Sequence, residues 1–374
     1  MTRWLRQGLA LFVAAAALWL VWLTGDPSAA LTQLAGSTQL ATSLLAAELG
    51  VSPQDGANLS GWDQLVLAQS SLLGGILPGG DASAPASEEP EPLPDPSPEA
   101  SADADPLPAA TEEPDGIIPR TMVAGTSASY VTSGSVSIYN HTDYTLDIGQ
   151  LLADAPTLTA GGDGPQVLIF HSHATEAYTP SGSDVYEESD SYRTLDTEQN
   201  MVRVGTEMAE IFEEAGIEVV HDTTLYDYPS YNEAYNRSSA GVAHWLEEYP
   251  SIQLVLDVHR DALAASDGTI YKTVAGTVDN CAQVMMVMGS DAMGQEHPNW
   301  RVNLSLATSI QKALADKWST LARPLVLRTS RFNQHQSTGE ILLEVGTHGN
   351  TLQEAITAAR LFARTVADMM TGQG

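Results

Sequence analysis

The sequence predicts an α/β protein whose folded part is a three-layer domain, with a mainly parallel sheet flanked by helices. From residue 117 to residue 374, apolar segments of strand character alternate with segments of helical periodicity. The strand segments are continuous apolar runs, which is typical of strands buried on both faces. The first 116 residues differ in composition and predict a transmembrane helix and a disordered linker ahead of this domain.

The charge and the cysteine content exclude several classes of protein. The chain of 374 residues has a formal net charge of −31, from 16 Lys and Arg against 47 Asp and Glu. This charge would repel a polyanion, so we expect no nucleic-acid binding. Cys281 is the only cysteine, which excludes an intramolecular disulfide and a cysteine-based zinc module. Any metal site must therefore use His, Asp and Glu.

Residues 1–26 predict an N-terminal transmembrane anchor. Arg3 and Arg6 precede an uncharged apolar run over 8–23, which with its flanks reaches the about 20 residues that a membrane span needs. No small-residue cleavage signal follows it directly, so we expect the anchor to remain uncleaved. Basic residues before the run and acidic residues after it predict a single-pass protein of the cell membrane, with the rest of the chain outside the cytoplasm.

Two further segments separate the anchor from the folded domain. Residues 27–73 carry leucines at helical spacing and predict a juxtamembrane spacer. Residues 74–116 contain ten prolines, eleven Asp or Glu, and no Lys, Arg or His. Such a segment cannot bury enough apolar surface to offset its ordering entropy, so we expect a disordered, acidic tether.

The folded domain, 117–374, is predicted from its periodicities. We expect strands at 136–142 (an edge strand), 166–170, 217–220, 252–258, 284–288 and 341–345. We expect helices at 197–215, 232–248, 302–318 and from 352 onwards. Asp196 with Gln199, and Thr351 with Glu354, have the spacing of capping boxes that start the first and the last of these helices.

Three of the predicted strands end in ionisable side chains. His171 and His173 follow the strand at 166–170, His259 ends the strand at 252–258, and Glu344 lies in the last strand. The carboxyl ends of parallel strands border one crevice, so these side chains are expected to meet although they are far apart in sequence.

This combination of side chains predicts a zinc site. Imidazole is a common zinc donor, and two His with one carboxylate and a water form a catalytic zinc pattern. Glu176 is close enough in sequence to His171 and His173 to supply the carboxylate. The two histidines share a side if the strand continues through them. Glu344 is predicted either to transfer protons beside the metal or to be a buried carboxylate paired with an arginine such as Arg260 or Arg331.

Four motifs, in this order, resemble the stage II sporulation protein P (SpoIIP) family, which is grouped with the zinc-dependent N-acetylmuramoyl-L-alanine amidases. The motifs are Phe170-His171-Ser172-His173-Ala174-Thr175-Glu176-Ala177-Tyr178-Thr179-Pro180, Asp257-Val258-His259-Arg260-Asp261-Ala262, Arg331-Phe332-Asn333-Gln334 and Leu343-Glu344-Val345-Gly346. The resemblance covers about 136–370. The first 116 residues resemble the family only in that they consist of an anchor and a tether.

The resemblance implies an amidase_3-like fold with Zn²⁺ as cofactor. It implies cleavage of the bond between N-acetylmuramic acid and L-alanine in peptidoglycan, together with endopeptidase activity on cross-links. It also implies a role in engulfment during endospore formation, in the space between the forespore and mother-cell membranes, with stage II sporulation proteins D and M as partners. The alternative is a non-catalytic wall-binding or scaffold protein of the same machinery.

The resemblance also implies roles for individual residues. It implies His171, Glu176 and His259 as metal ligands and Glu344 as the catalytic base. His173 remains open as an alternative to His171, and Glu198 as an alternative to Glu176. The residues that are expected to bind substrate or to brace the ligands are His173, Arg193, Glu198, Arg260, Asn333 and Gln334.

Overall fold

An eight-stranded sheet lies at the centre of the part of the chain that the computed structural model describes, residues 116–373. The strands are β1 (Ile117–Arg120), β2 (Tyr130–Ser133), β3 (Val136–Asn140), β4 (Val167–Phe170), β5 (Val219–His221), β6 (Leu254–Asp261), β7 (Ile270–Thr273), β8 (Val284–Met288), β9 (Leu325–Leu327) and β10 (Glu340–Thr347). The helices are α1 (Ile148–Ala153), α2 (Met201–Glu214), α3 (Ala234–Glu248), α4 (Trp300–Lys317) and α5 (Leu352–Thr371).

The strand order of the sheet is β2-β3-β9-β8-β10-β6-β4-β5. The pairings of β3 with β9, β9 with β8, β10 with β6, β6 with β4 and β4 with β5 are parallel. The pairings of β2 with β3 and of β8 with β10 are antiparallel. The α/β class and the mainly parallel sheet are therefore confirmed, with the correction that the sheet is mixed.

The two faces of the sheet are covered unequally. One face packs on the main hydrophobic core, to which α1, α2, α4 and α5 contribute. On the other face, α3 covers Leu168 and Phe170 of β4, and a separate small apolar cluster lies on β8, β9 and β10 beneath Phe332. Alternation along β6 sends Leu256 and Val258 into the main core, so Asp257 and His259 lie on the α3 face. This thinly covered face carries the ionisable side chains.

Some predicted elements need correction. The strand expected at the edge, β3, is second from the edge, because the unpredicted β2 pairs with it on the outside. The helix expected from residue 197 begins later, at Met201, because Asn200 is its N-cap and accepts from the backbone N–H of Val202. The capping box of Thr351 and Glu354 is present as predicted.

A second, two-stranded sheet pairs β1 with β7 in parallel. It is linked to α5 by a buried ion pair, in which Lys272 Nζ of β7 lies 2.7 Å from Glu354 Oε1. Asn350 also donates to Glu354, over 2.9 Å. The first strand of the described chain is thereby connected to the last helix.

The predicted anchor, spacer and linker lie outside the described residues, apart from Gly116. Between residues 116 and 373, no helix combines the length and the apolar character that crossing a bilayer requires.

Candidate functional site

His171 lies on the face of the sheet opposite to α3. Phe170, the last residue of β4, packs toward α3, so the next side chain points to the other face, where α2 lies. There His171 Nδ1 donates to the carbonyl of Val258 over 2.8 Å, and its Nε2 is 3.0 Å from His221 Nε2. Gly205 of α2 leaves room for this pair, because a Cβ at that position would lie 2.6 Å from His171 Nε2.

The structure therefore does not bring His171, an expected ligand, to the other side chains at the strand ends. Both of its ring nitrogens have other partners. Burial, followed by the nearby His221, lowers the pKa of His171 to about 3, so the ring is neutral at pH 7. The expectation that His171 and His173 share a side required a continuing strand, but β4 ends at Phe170 and residues 172–175 form a turn.

His173, Glu176 and His259 come together on the α3 face. One potential ligand atom of each lies within 4.8 Å of those of the other two, and no other such trio of His, Cys, Asp or Glu occurs within residues 116–373. Glu176 faces both imidazoles, with Oε1 3.8 Å from His173 Nδ1 and Oε2 3.5 Å from His259 Nδ1. All three side chains are buried. Two imidazole nitrogens are thus turned toward one carboxylate.

The electrostatics of this trio favour a positive charge at its centre. Burial would raise the pKa of Glu176, but Arg260, His259 and Arg193 outweigh burial and hold it below its usual range. Burial would likewise lower the pKa of His259, but Asp257 and Glu176 outweigh it and raise that pKa well above its ordinary value.

His173 lacks a comparable carboxylate contact, and its burial lowers its pKa to about 3. Its imidazole is therefore neutral at pH 7, which is the form that binds metals.

Arg193 and Arg260, both expected to brace ligands, hold Glu176 in place. Arg193 Nη2 is 3.2 Å from Glu176 Oε1, and its Nη1 is 2.7 Å from Asp227 Oδ2. The backbone N–H of Arg260 donates to Glu176 Oε2 over 3.3 Å, and its Nε donates to the carbonyl of Ala177 over 2.7 Å. These contacts fix both oxygens of the carboxylate.

Glu198, the alternative carboxylate, lies away from the trio. Its side chain is 73 % exposed and pairs with Arg203 over 3.3 Å. The start of α2 is displaced to Met201, so Glu198 is in the turn that precedes the helix and points to solvent. Of the two carboxylates considered, the structure brings only Glu176 to the histidines.

The sequence did not single out the tyrosines that border the trio. The ring of Tyr231 stacks on His173 with centroids 4.5 Å apart, and Arg193 lies 4.9 Å over Tyr231. Tyr235 meets His173 edge-on at 5.3 Å. The one available signal was the density of tyrosines between residues 226 and 235, which matches no motif.

Glu344 is placed beside His259 by the pairing of two parallel strands. The two residues are direct partners in the register of β10 and β6. Glu344 is only 9 % exposed, and its Oε2 has no hydrogen-bond partner. Burial, and next the charge of Asp261, raise the pKa of Glu344 to about 8. This carboxyl group can therefore take up and release a proton near neutral pH.

Neither arginine considered as a partner of Glu344 forms an ion pair with it. Arg260 is bonded to the segment around Glu176, and Arg331 donates to the carbonyl of Glu296 over 3.2 Å. Arg323 is closer in the fold, but its guanidinium pairs with Asp261 over 2.7 Å.

Asn333 and Gln334 lie behind the trio and do not border it. The Nδ2 of Asn333 is 3.0 Å from the carbonyl of Tyr235 and 3.0 Å from Ser238 Oγ, both on α3. Gln334 accepts from the backbone N–H of Gly289 and donates to the carbonyl of Val287, each over 2.8 Å. Gln334 thus attaches its loop to β8, while Asn333 attaches it to α3.

The donor set of the trio fits zinc. Two imidazoles and one carboxylate, held on separate segments, are the ligands of catalytic zinc sites that leave a position for water or substrate. The fit is supported by the Nδ1 atoms of both imidazoles, which face the carboxylate of Glu176, and by the buried Oε2 of Glu344, which has no hydrogen-bond partner. His173, Glu176 and His259 would hold the ion.

The described fold has similarities to solved amidase structures. An N-acetylmuramoyl-L-alanine amidase from Clostridium difficile 630 is 14 % identical, with a TM-score of 0.33 over 57 % of this chain and 100 % of that chain. The amidase AmiC2 of Nostoc punctiforme is 12 % identical, with a TM-score of 0.32 over 56 % of this chain and 94 % of that one.

Similarity in sequence is more specific. Stage II sporulation protein P of Bacillus subtilis (strain 168) is 27 % identical over 227 residues, which are 58 % of this chain and 53 % of the relative. The match thus spans about half the length of that curated relative. The model of the family Stage II sporulation protein P (SpoIIP) matches residues 112–367, which include all the motifs and nearly all of the described fold. The chain therefore belongs to the stage II sporulation protein P family.

Proposed function

We propose that this chain is a zinc-dependent peptidoglycan hydrolase that cleaves the amide bond between N-acetylmuramic acid and L-alanine. The observation that carries the proposal is the trio of His173, Glu176 and His259, with Glu344 in register beside it. A binding module has no need of a buried carboxyl group with an unpartnered oxygen next to a metal-binding set. Membership of the sporulation family supports the same conclusion.

Each of the three proposed ligands would contribute one donor group to the ion. His173 and His259 offer Nδ1, and Glu176 offers its carboxylate, which the two arginines keep ionised and oriented. When bound, zinc supplies Lewis-acid activation of the scissile carbonyl and of water. Three protein ligands would leave room at the ion for both.

Glu344 moves the proton in this proposal. As the water oxygen adds to the carbonyl carbon, Glu344 takes the proton of the water. It then donates the proton to the amide nitrogen as the C–N bond breaks, which gives a carboxylic acid on the sugar and a free amine on L-alanine. The raised pKa of about 8 suits both halves of this cycle.

The cellular setting belongs to the same proposal. We infer that residues 1–26 anchor the protein in the cell membrane, and that 74–116 tether an extracytoplasmic catalytic domain. The domain would act on peptidoglycan during engulfment, with stage II sporulation proteins D and M as partners, and would also cleave stem-peptide cross-links.

The test is zinc content and release of stem peptides from purified sacculi by the full-length chain. We expect about one bound zinc and peptide release in the unmodified protein. Glu344→Gln should keep its zinc and lose at least about 100-fold in rate, the usual contribution of a general base. His259→Ala should lose both zinc and activity.

Glu340→Gln is the matched control, because Glu340 lies on the same strand and the same buried face as Glu344. It should retain activity. Full activity in Glu344→Gln would overturn the proton-transfer role. Sacculus binding without peptide release, in a zinc-loaded protein, would favour the wall-binding alternative.

A further inference from the structure

Asp257 stands between His259 and the turn that follows β4. Its Oδ1 is 2.8 Å from His259 Nε2, on the side of the ring opposite to Glu176. This short contact places a carboxylate oxygen against the Nε2 edge of the ring, where it can accept the N–H of the imidazole. Ser172 meets both oxygens of Asp257, with its backbone N–H donating to Oδ1 over 2.8 Å and its hydroxyl donating to Oδ2 over 2.7 Å.

A chain of buried side chains continues from Ser172. The hydroxyl of Ser172 is 2.7 Å from that of Ser238 on α3, and Asn333 Nδ2 donates to Ser238 Oγ over 3.0 Å. All four side chains, of Asp257, Ser172, Ser238 and Asn333, are less than 9 % exposed. They come from β6, the turn after β4, helix α3 and the loop before β10, so four separate parts of the fold converge here.

Counting hydrogens fixes the direction of this chain. An amide Nδ2 can only donate, so Ser238 accepts from Asn333. Ser172 uses its own proton on Asp257, so it accepts from Ser238 in the 2.7 Å contact between the two hydroxyls. The other acceptor near the Ser238 hydroxyl, the carbonyl of Tyr235, is farther away, at 3.2 Å. Asp257 accepts both hydrogen bonds from Ser172. As an ionised carboxylate it has no proton to donate, so it is also an acceptor toward His259. When the ring binds a metal through Nδ1, its one N–H is therefore on Nε2 and faces Asp257.

We propose that Asp257, Ser172 and Ser238, with Asn333 at the far end, form a relay that positions His259 as a metal ligand through Nδ1. The relay rests on the proposed function, since it acts on the zinc site. Each of its members is a positioning residue that acts through His259. Asn333 is thereby assigned to bracing a ligand and not to holding substrate.

The experiment measures zinc affinity of the full-length chain by competition with a chromogenic chelator. Asp257→Ala should weaken zinc binding about 10- to 100-fold, the usual effect of removing the partner of a ligating histidine. Asp257→Asn keeps an oxygen acceptor for Nε2–H and should lose less. Ser172→Ala and Ser238→Ala should weaken binding in the same direction, in decreasing order along the relay.

Ser239→Ala is the matched control. Ser239 is the neighbour of Ser238 on α3 and contacts Gln336 over 3.1 Å, outside the relay. It should bind zinc as the unmodified chain does. Cobalt substituted for zinc provides a second readout, because its visible absorption bands report ligand geometry. These bands should change in Ser238→Ala and stay the same in Ser239→Ala.

The outcomes separate this inference from the function on which it rests. Unaltered zinc affinity and cobalt bands in folded Ser172→Ala and Ser238→Ala would overturn the relay and leave the enzyme proposal standing. Absence of zinc binding by the unmodified chain would overturn the proposed function itself. The serine variants decide the matter if Asp257→Ala does not fold, which thermal unfolding reveals.

Discussion

Glu340 and Glu344 occupy the same strand and the same face of the sheet. Glu344 borders the trio, whereas Glu340 is only 1 % exposed at the start of β10 and has an unpartnered Oε2. Burial, and next the charge of Asp257, raise the pKa of Glu340 well above its ordinary value. A carboxyl group in that setting is protonated in the folded protein and ionised in the unfolded chain.

The first prediction concerns the stability of Glu340→Gln as a function of pH. Because the pKa of Glu340 is raised in the fold, its contribution to stability is complete below pH 4 and is lost as the pH rises. The glutamine side chain does not ionise, so the variant does not lose this stability as the pH rises. Its free energy of unfolding should exceed that of the unmodified chain at pH 8 by about 1 kcal/mol or more, since one pKa unit corresponds to about 1.4 kcal/mol.

Denaturant unfolding at pH 4 and pH 8 checks this difference. Glu210→Gln, at an exposed position of α2, serves as control and should shift stability by less than about 0.5 kcal/mol at both pH values. A Glu340→Gln variant that is less stable than the unmodified chain at pH 8 would contradict the prediction.

The second prediction distinguishes His171, which directly follows β4, from His173 in the turn after it. His173→Ala should abolish zinc binding. His171→Asn should retain zinc, because His171 lies on the α2 face, but should lose about 1–3 kcal/mol of stability as the N–H of His221 loses its acceptor. Zinc content after dialysis and denaturant unfolding measure the two effects. If His171→Asn loses zinc and His173→Ala keeps it, His171 and not His173 is the metal ligand.

The buried ion pair between Lys272 and Glu354 joins β7 to α5. The third prediction is that Lys272→Met costs about 3–5 kcal/mol of stability, because it leaves the Glu354 carboxylate buried without this partner. Lys272→Met combined with Glu354→Gln should recover part of the loss. Denaturant unfolding of the single and double variants measures both.

The pair of Lys312 and Asp316 on α4 is the control, since both side chains are about half exposed (49 % and 54 %). Lys312→Met should change stability by less than about 1 kcal/mol, as exposed ion pairs usually contribute little. Equal costs at Lys272 and Lys312 would refute the role of the buried pair.

The predictable elements were those with a strong local signal. Local sequence predicted the capping box at Thr351 and the strands β4, β6, β8 and β10. Each of these strands contains an apolar run. The strands β1, β2 and β7 are as short as β4, but each includes polar or proline residues, and β9 has only three residues. None of them has the run of four apolar residues that marks β4, and their pairing with neighbouring strands stabilises them.

The site was predictable in its composition but not in its detail. His259 and Glu344 were expected to meet because parallel strands align their ends, and the structure brings them side by side. The sequence did not show which of His171 and His173 lies on this face. The answer depends on the residue at which β4 ends, and a change of one residue in that position would alter it. Tyr231 is brought to His173 by a loop, which carries no periodic signal.

Zinc should stabilise the entire fold, because it binds the folded chain and not the unfolded one. The fourth prediction is that zinc at 100 times its dissociation constant raises the free energy of unfolding by about 2.7 kcal/mol. Chelator-treated protein should therefore unfold at a lower temperature and return to the higher one when zinc is added. His259→Ala should show no such shift, and a shift of the same size in that variant would contradict the assigned ligands.

The small sheet of β1 and β7 has a mechanical meaning. Any tension carried by the chain before Gly116 enters the fold through β1, whose four residues pair in parallel with β7. Force along the strand axis would load these four residue pairs together in shear. The ion pair between Lys272 and Glu354 would transmit part of that force to α5. Thr347 of β10 also donates to the carbonyl of Tyr271 in β7, over 2.7 Å. Force on the N-terminal chain would therefore be shared between the last helix and the strand that carries Glu344, instead of falling on one of them.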